Sequence, residues 1–186
     1  MIEKNEIKLL IYSPVFAALT AFGAVIRIPV PVVPFTMQTF FVVLAGIVLG
    51  ARGGFISQVI YIVIGLAGVP VFSQGGGLSY VFKPSFGYII GFPAAAFISG
   101  YFLHKKTKKD RLNRINILIS SLTGLAALYF MGLLYLGFYM IYISGVPANM
   151  WRIIYTGFII FLPGLMIKVG LIVYISPLLL RITRAA

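Results

Sequence analysis

Long apolar runs, separated by short polar or glycine- and proline-rich breaks, make up this chain. The runs lack the period-two alternation of apolar and polar positions that a membrane barrel requires. They are apolar all round, as a helix surrounded by lipid is. Six of them approach the roughly 20 residues that a spanning helix needs, or fall a little short. They lie at about 9–27, 37–50, 54–69, 86–103, 115–142 and 163–181, the second and third being short. Pro163 suits the opening turn of the last helix, where its missing N–H is not needed. Segment 147–162 reads either as an outer loop with a short interfacial helix or as part of the last span. The pattern predicts an all-α integral membrane protein of six transmembrane helices, forming one domain over residues 1–186.

Composition agrees with that pattern and removes most chemistry. The chain is 61% hydrophobic and 10% charged, whereas soluble domains are near half apolar and about a quarter charged. There is no cysteine, one histidine (His104) and three acids. Disulfides and thiolate metal sites therefore have no material, histidine catalysis and paired-carboxylate chemistry have almost none, and no cofactor or metal is expected. A serine–lysine enzyme using Ser85 or Ser176 with Lys168 has no supporting motif, so the chain does not read as an enzyme. The opening MIEKNEIKLL mixes two acids with two lysines, which fits a retained helix better than a cleaved signal peptide.

Charge gives the orientation. Lys and Arg in short loops mark the cytoplasmic side. With six spans, Lys4, Lys8, Arg52, Lys105, Lys106, Lys108, Lys109, Arg111, Arg114, Arg181 and Arg184 share one side, eleven of the fifteen basic residues. Both termini are thus expected in the cytoplasm, and the run KKTKKDR reads as a topology signal rather than a nucleic-acid site. All three acids (Glu3, Glu6, Asp110) fall on the same side. The outward half holds Arg27, Lys83, Arg152 and Lys168 without a fixed anion. Arg27 and Arg152 are placed to snorkel toward lipid phosphates. Lys168 sits over a turn inside its helix, where an ionisable residue is a functional candidate. A bound anion is its expected partner, which points to an outward pocket for a small, largely apolar carboxylate.

Two outer segments have unusual composition. In IPVPVVPFTMQTF (28–40) three prolines hold the chain extended, and Phe35, Thr36, Gln38 and Thr39 follow them. This is a stiff capping loop or a pocket wall. In GVPVFSQGGGLSYVFKPSFGYIIGF (68–92) the run Gly75–Gly77 permits positive φ or close backbone approach. Tyr80, Phe82 and Tyr88 flank Lys83 there, as a lid over an apolar ligand would require. Trp151 falls near the same outer face. In the first helix, Ala17 and Ala21 are four apart, a spacing that lets another helix approach or serves internal packing.

Taken in order, the alanine-rich first helix, VPFTMQTFFVVLAGIVLGARGG, YIVIGLAGVPVFSQGGG, KPSFGYIIGFP and FLPGLMIK resemble the BioY family. These are the biotin-specific substrate-binding subunits of energy-coupling-factor (ECF) vitamin transporters. The resemblance runs from about residue 10 to 181. It implies the ECF S-component fold in a bacterial plasma membrane, outer loops that cover a vitamin, and docking to an ECF module. That module has one transmembrane coupling protein and two ATPases, so this chain itself would hydrolyse no ATP. It further implies that Ala17 and Ala21 form the coupling surface. The outer-loop residues and the resemblance together give the candidate ligand-binding set Lys168, Leu165, Lys83, Tyr80, Phe82, Tyr88, Gln38, Thr36, Phe35, Gly76, Gly77 and Trp151.

Two positions depart from the family pattern. LPGD-x-x-K reads LPGLMIK here, with Leu165 in place of the aspartate, and Lys83 precedes the PSFGY string where a small or amide residue is usual. A carboxylate at 165 would accept from the ureido N–H groups of biotin, and leaving such donors unpaired costs roughly 1–3 kcal/mol each. The substitution thus favours a carboxylate without a ureido ring, such as lipoate. Biotin stays open if Gln38, Gln74 or Asn149 supplies acceptors. A stand-alone secondary carrier is the alternative class, against which stands the lack of intramembrane acids for proton coupling.

Overall fold

The computed structural model describes residues 4–106, 113–145 and 149–185. Residues 107–111 of KKTKKDR lie outside them, as do 1–3 and 146–148. Helix α1 spans Lys4–Val25. A short antiparallel pair follows, β1 Arg27–Ile28 with β2 Phe35–Thr36; the proline-containing residues between them bend at 31–33 and reverse the chain, where the sequence suggests an extended segment. Then come α2 Gln38–Leu66, α3 Phe86–Lys106, α4 Arg114–Phe138, α5 Met150–Gly157 and α6 Leu162–Ala185. A π turn, Tyr139–Ile143, extends α4. A 3-10 turn, Ile159–Phe161, leads from α5 into α6, so segment 147–162 holds a short helix that also runs into the last span.

Among the described residues, four stretches are long and apolar enough to cross a membrane: Gln38–Leu66, Phe86–Lys105, Arg114–Ile143 and Met150–Arg181. Leu9–Val25 is a shorter apolar helix. Leu10, Phe22, Phe130 and Leu134 are exposed on these helices, and so large an apolar exterior marks a lipid-facing surface. The chain is a multi-pass membrane protein.

The structure differs from the six separate runs at α2. The runs at 37–50 and 54–69 belong to one element with no loop at 51–53. That element is bent back on itself. Gly50 takes φ +78° and ψ 178°, a conformation in practice restricted to glycine. A Cβ on Gly54 would lie 2.7 Å from the Gly46 Cα, yet eight residues of straight helix would separate them by about 12 Å. Gln38 Nε2 likewise lies 2.5 Å from Tyr61 Oη. Residues 38–49 and 51–66 are therefore antiparallel arms meeting at Gly50. Ala96 of α3 packs into the junction so tightly that a Cβ on Gly46 would fall 2.0 Å from its carbonyl oxygen. The break strips intrahelical donors from the last carbonyls of the first arm, and His104 Nε2 reaches that of Ile47 at 3.2 Å.

This reversal sorts the molecule into two ends. One gathers the Gly50 turn, His104 and Leu9, whose side chain abuts Gly53. The other gathers the connections 26–37 and 67–85 and residues 139–145 and 149–161. There Met37 N donates to the carbonyls of Gly23 (3.0 Å) and Ile26 (3.1 Å), and Gly77 N to that of Gly65 (2.7 Å). Tyr88 Oη donates to the Gly157 carbonyl at 2.7 Å, and Tyr135 Oη to that of Val81. Along α1, Ala17 is buried in the core, Ala21 is half-buried and Ala18 is exposed. Ala17 thus packs internally and is not presented on the surface of the subunit.

Candidate functional site

Lys168 comes from the second turn of α6, and its side chain is buried, 5% exposed. Its ammonium donates to the Thr36 carbonyl at 2.6 Å and to Thr39 Oγ1 at 2.9 Å. It also stands 3.8 Å from the centroid of the Phe35 ring, within cation–π range. Gly164 makes that ring position possible, since a Cβ there would lie 2.2 Å from Phe35. The sequence left Lys168 without a protein partner; the structure supplies two neutral acceptors and a ring face. Lysine has three donors, so one remains for another acceptor. The chain's three acids lie outside the described side chains, and no carboxylate among the latter neutralises it.

Lys168 lines a cavity of about 40 Å³ under the outer connections, together with Phe35, Thr36, Gln38, Thr39 and Tyr88. Phe161 stacks on Phe35 at 6.1 Å, and Tyr129 stands 5.9 Å edge-on to Tyr88, giving aromatic walls. Ser73 and Ser85 also face the cavity. Behind them Tyr80 Oη lies 3.1 Å from Ser73 Oγ and 3.0 Å from Ser85 Oγ, setting both hydroxyls. A second chain starts at Thr36 Oγ1, which donates to Gln38 Oε1 at 2.9 Å. Gln38 Nε2 donates to Tyr61 Oη, which in turn donates to the Val71 carbonyl at 2.9 Å. It connects the first outer segment, both arms of α2 and the second outer segment. Arg27 Nη1 donates to the Ser73 carbonyl, so Arg27 ties the two segments together, a protein contact in place of the lipid phosphate expected for it.

Of the sequence-predicted ligand set, Phe35, Thr36, Gln38, Tyr88 and Lys168 converge on this cavity. Tyr80 stands behind it. Gly77 takes φ +91°, and a Cβ on Gly76 would meet the Val69 carbonyl at 2.2 Å; both shape the loop without lining the cavity. Phe82, Lys83 and Trp151 are exposed. Leu165 lines a separate groove with Leu118 and Leu122 of α4, so it is not in the cavity wall. Ser73, Ser85, Tyr129 and Phe161 were not anticipated as lining residues. Apart from Ser85's place in PSFGY, they have no local sequence signal, because only the fold brings together Ser73 of the second outer segment, Ser85 before α3, Tyr129 of α4 and Phe161 of the turn before α6.

The fold and site define a multi-pass helical membrane protein with a cationic, aromatic-walled cavity beneath two tied loops. The BioY family model matches residues 1–185, and the chain belongs to the BioY family. It is 47% identical over 139 residues to a probable biotin transporter BioY of Lysinibacillus sphaericus, covering 73% of this chain and 68% of that one. It is 42% identical to a probable biotin transporter BioY of Pyrococcus horikoshii, covering 70% and 78%. A crystal structure of the S-component for biotin from an ECF-type ABC transporter superposes with a TM-score of 0.81. Its identity is 29%, and the match covers 95% of this chain and 92% of the other. The relatives are transporters and the structural neighbour is a transport subunit; the chain is not an enzyme.

Proposed function

We propose that this chain is the substrate-binding S component of an ECF-type vitamin importer and that it captures biotin. The observation that carries this is the Lys168 cavity, in a family whose relatives are named biotin transporters. Biotin has a carboxylate and a ureido carbonyl, either of which the third Lys168 donor can meet. The hydroxyls of Thr36, Thr39, Ser73 and Ser85 can pair with the ring N–H groups. Leu165 lies outside the cavity wall, so its leucine no longer argues for a ligand lacking ureido donors, and lipoate loses that support.

Counting each arm of α2 as a crossing, with α1, makes six crossings, and the distribution of Lys and Arg in the sequence is our reason for taking both termini as cytoplasmic and the cavity as outward. The cavity is far smaller than the several hundred Å³ of a usual small-molecule site. Ligand entry therefore requires the 26–37 and 67–85 segments to swing outward. Docking to the coupling protein falls to the exposed Ala18 side of α1, since Ala17 is buried.

Uptake of labelled biotin into vesicles holding the chain, with and without the ECF module and ATP, tests the assignment. Dependence on both is expected, with unlabelled biotin competing and lipoate and octanoate competing weakly. Equal uptake without module and ATP would show a stand-alone carrier. Strong competition by lipoate would move the ligand away from biotin.

A further inference from the structure

A second, larger feature lies away from the vitamin cavity, on the face between α4 and α6. It is a groove of about 470 Å³. One wall is Ile115, Leu118 and Leu122 of α4, and the other is Met166, Gly170 and Val173 of α6. The α4 residues are three and four apart, so they line one helix face. From Met166 to Val173 the groove runs about 10 Å along α6. Gly170 is exposed, and no heavy atom lies within 4 Å of where its Cβ would stand. The only charged group in the lining is Arg114, in the first turn of α4. That places an apolar channel along the bundle and a guanidinium at its end. Arg114 follows the basic run KKTKKDR in the sequence, in a chain of net charge +12.

We propose that this groove binds a diacyl phospholipid with an anionic headgroup, one acyl chain lying between α4 and α6 and the phosphate paired with Arg114. The groove wall offers an acyl chain dispersion contacts and no polar group to leave unpaired. Arginine matches phosphate with a planar fork of donors that a zwitterionic headgroup engages less well, because its own cation competes. Basic residues beside a membrane surface each favour anionic lipid. A protein partner fits less well: the groove is about two helical turns long, and Arg114 is the one polar residue lining it.

The test uses the purified full chain, delipidated in detergent and then given phosphatidylglycerol or phosphatidylcholine of the same acyl composition. Thermal unfolding and lipid retention by native mass spectrometry are read for each. Wild type is expected to retain phosphatidylglycerol in preference and to melt several degrees higher with it. Arg114→Gln should remove the preference while leaving retention of phosphatidylcholine unchanged. Gly170→Phe, which has room to fill the groove, should reduce retention of both lipids without lowering the melting temperature in detergent alone. Equal retention of the two lipids by wild type overturns the proposal. So does an undiminished preference in Arg114→Gln, or unchanged retention in a folded Gly170→Phe. Biotin binding in all three proteins serves as a separate readout, because the groove does not depend on the identity of the vitamin.

Discussion

Lys168 was conspicuous in the sequence as a cation in an apolar run, and packing shows how the fold tolerates it. A buried cation is costly unless it is both paired and hydrogen-bonded, and neutral acceptors or a ring face offset part of that cost. The Thr36 carbonyl, Thr39 Oγ1 and the Phe35 ring share that role. All three belong to one short segment, so Lys168 also pins β2 to α6. Arg27 acts similarly on the other segment through the Ser73 carbonyl. Removing it should free residues 67–85 to open. In Arg27→Ala, release of labelled biotin after dilution should be several-fold faster than in wild type, with Arg27→Lys intermediate. An unchanged release rate would show that this tie does not control access to the cavity.

At the scale of elements, glycine geometry decides more than hydropathy does. The apolar runs located α1, α3, α4 and α6 to within a few residues, because lipid-exposed helices need length and little else. They could not show that 37–50 and 54–69 form one element, since the reversal depends on a single φ at Gly50. Nor could they show the way that element folds against α3 through Gly46, Gly54 and Ala96. The candidate site was legible where a segment combined prolines, aromatics and short polar residues, as Phe35, Thr36 and Gln38 do. It was illegible where residues far apart in the sequence meet, as with Ser73, Tyr129 and Phe161. Leu165 misled for a related reason: its spacing from Lys168 was clear, but which neighbour it faced was not. Gly50→Ala must hold an alanine at positive φ, a strain of about 1–3 kcal/mol. Its melting temperature in detergent should drop clearly, and a melt identical to wild type would mean that the turn can adopt another conformation.

Viewed whole, the molecule has a cavity end built from connections and an opposite end built around the Gly50 turn, with α1 running along the bundle between them. In the proposed assembly a coupling partner docks on the surface of α1, and burial selects which alanine is available. Ala17 sits in the core, whereas Ala18 faces outward. A bulky residue at 18 should obstruct docking without touching the cavity. Ala18→Trp is expected to bind biotin normally yet fail to co-purify with the ECF module and fail to support uptake. Full co-purification would place the coupling surface elsewhere.

The most direct test of the site itself is an equilibrium titration of the purified chain with biotin, wild type beside Lys168→Met. Methionine keeps most of the length of the lysine stem and removes its charge and donors. Wild type should bind one biotin per chain, and the variant should fold but bind about 30- to 1000-fold more weakly, the effect of about 2–4 kcal/mol at a buried charged contact. Equal affinity in the two proteins, or no saturable binding by wild type, would contradict the assignment of the Lys168 cavity as the biotin site.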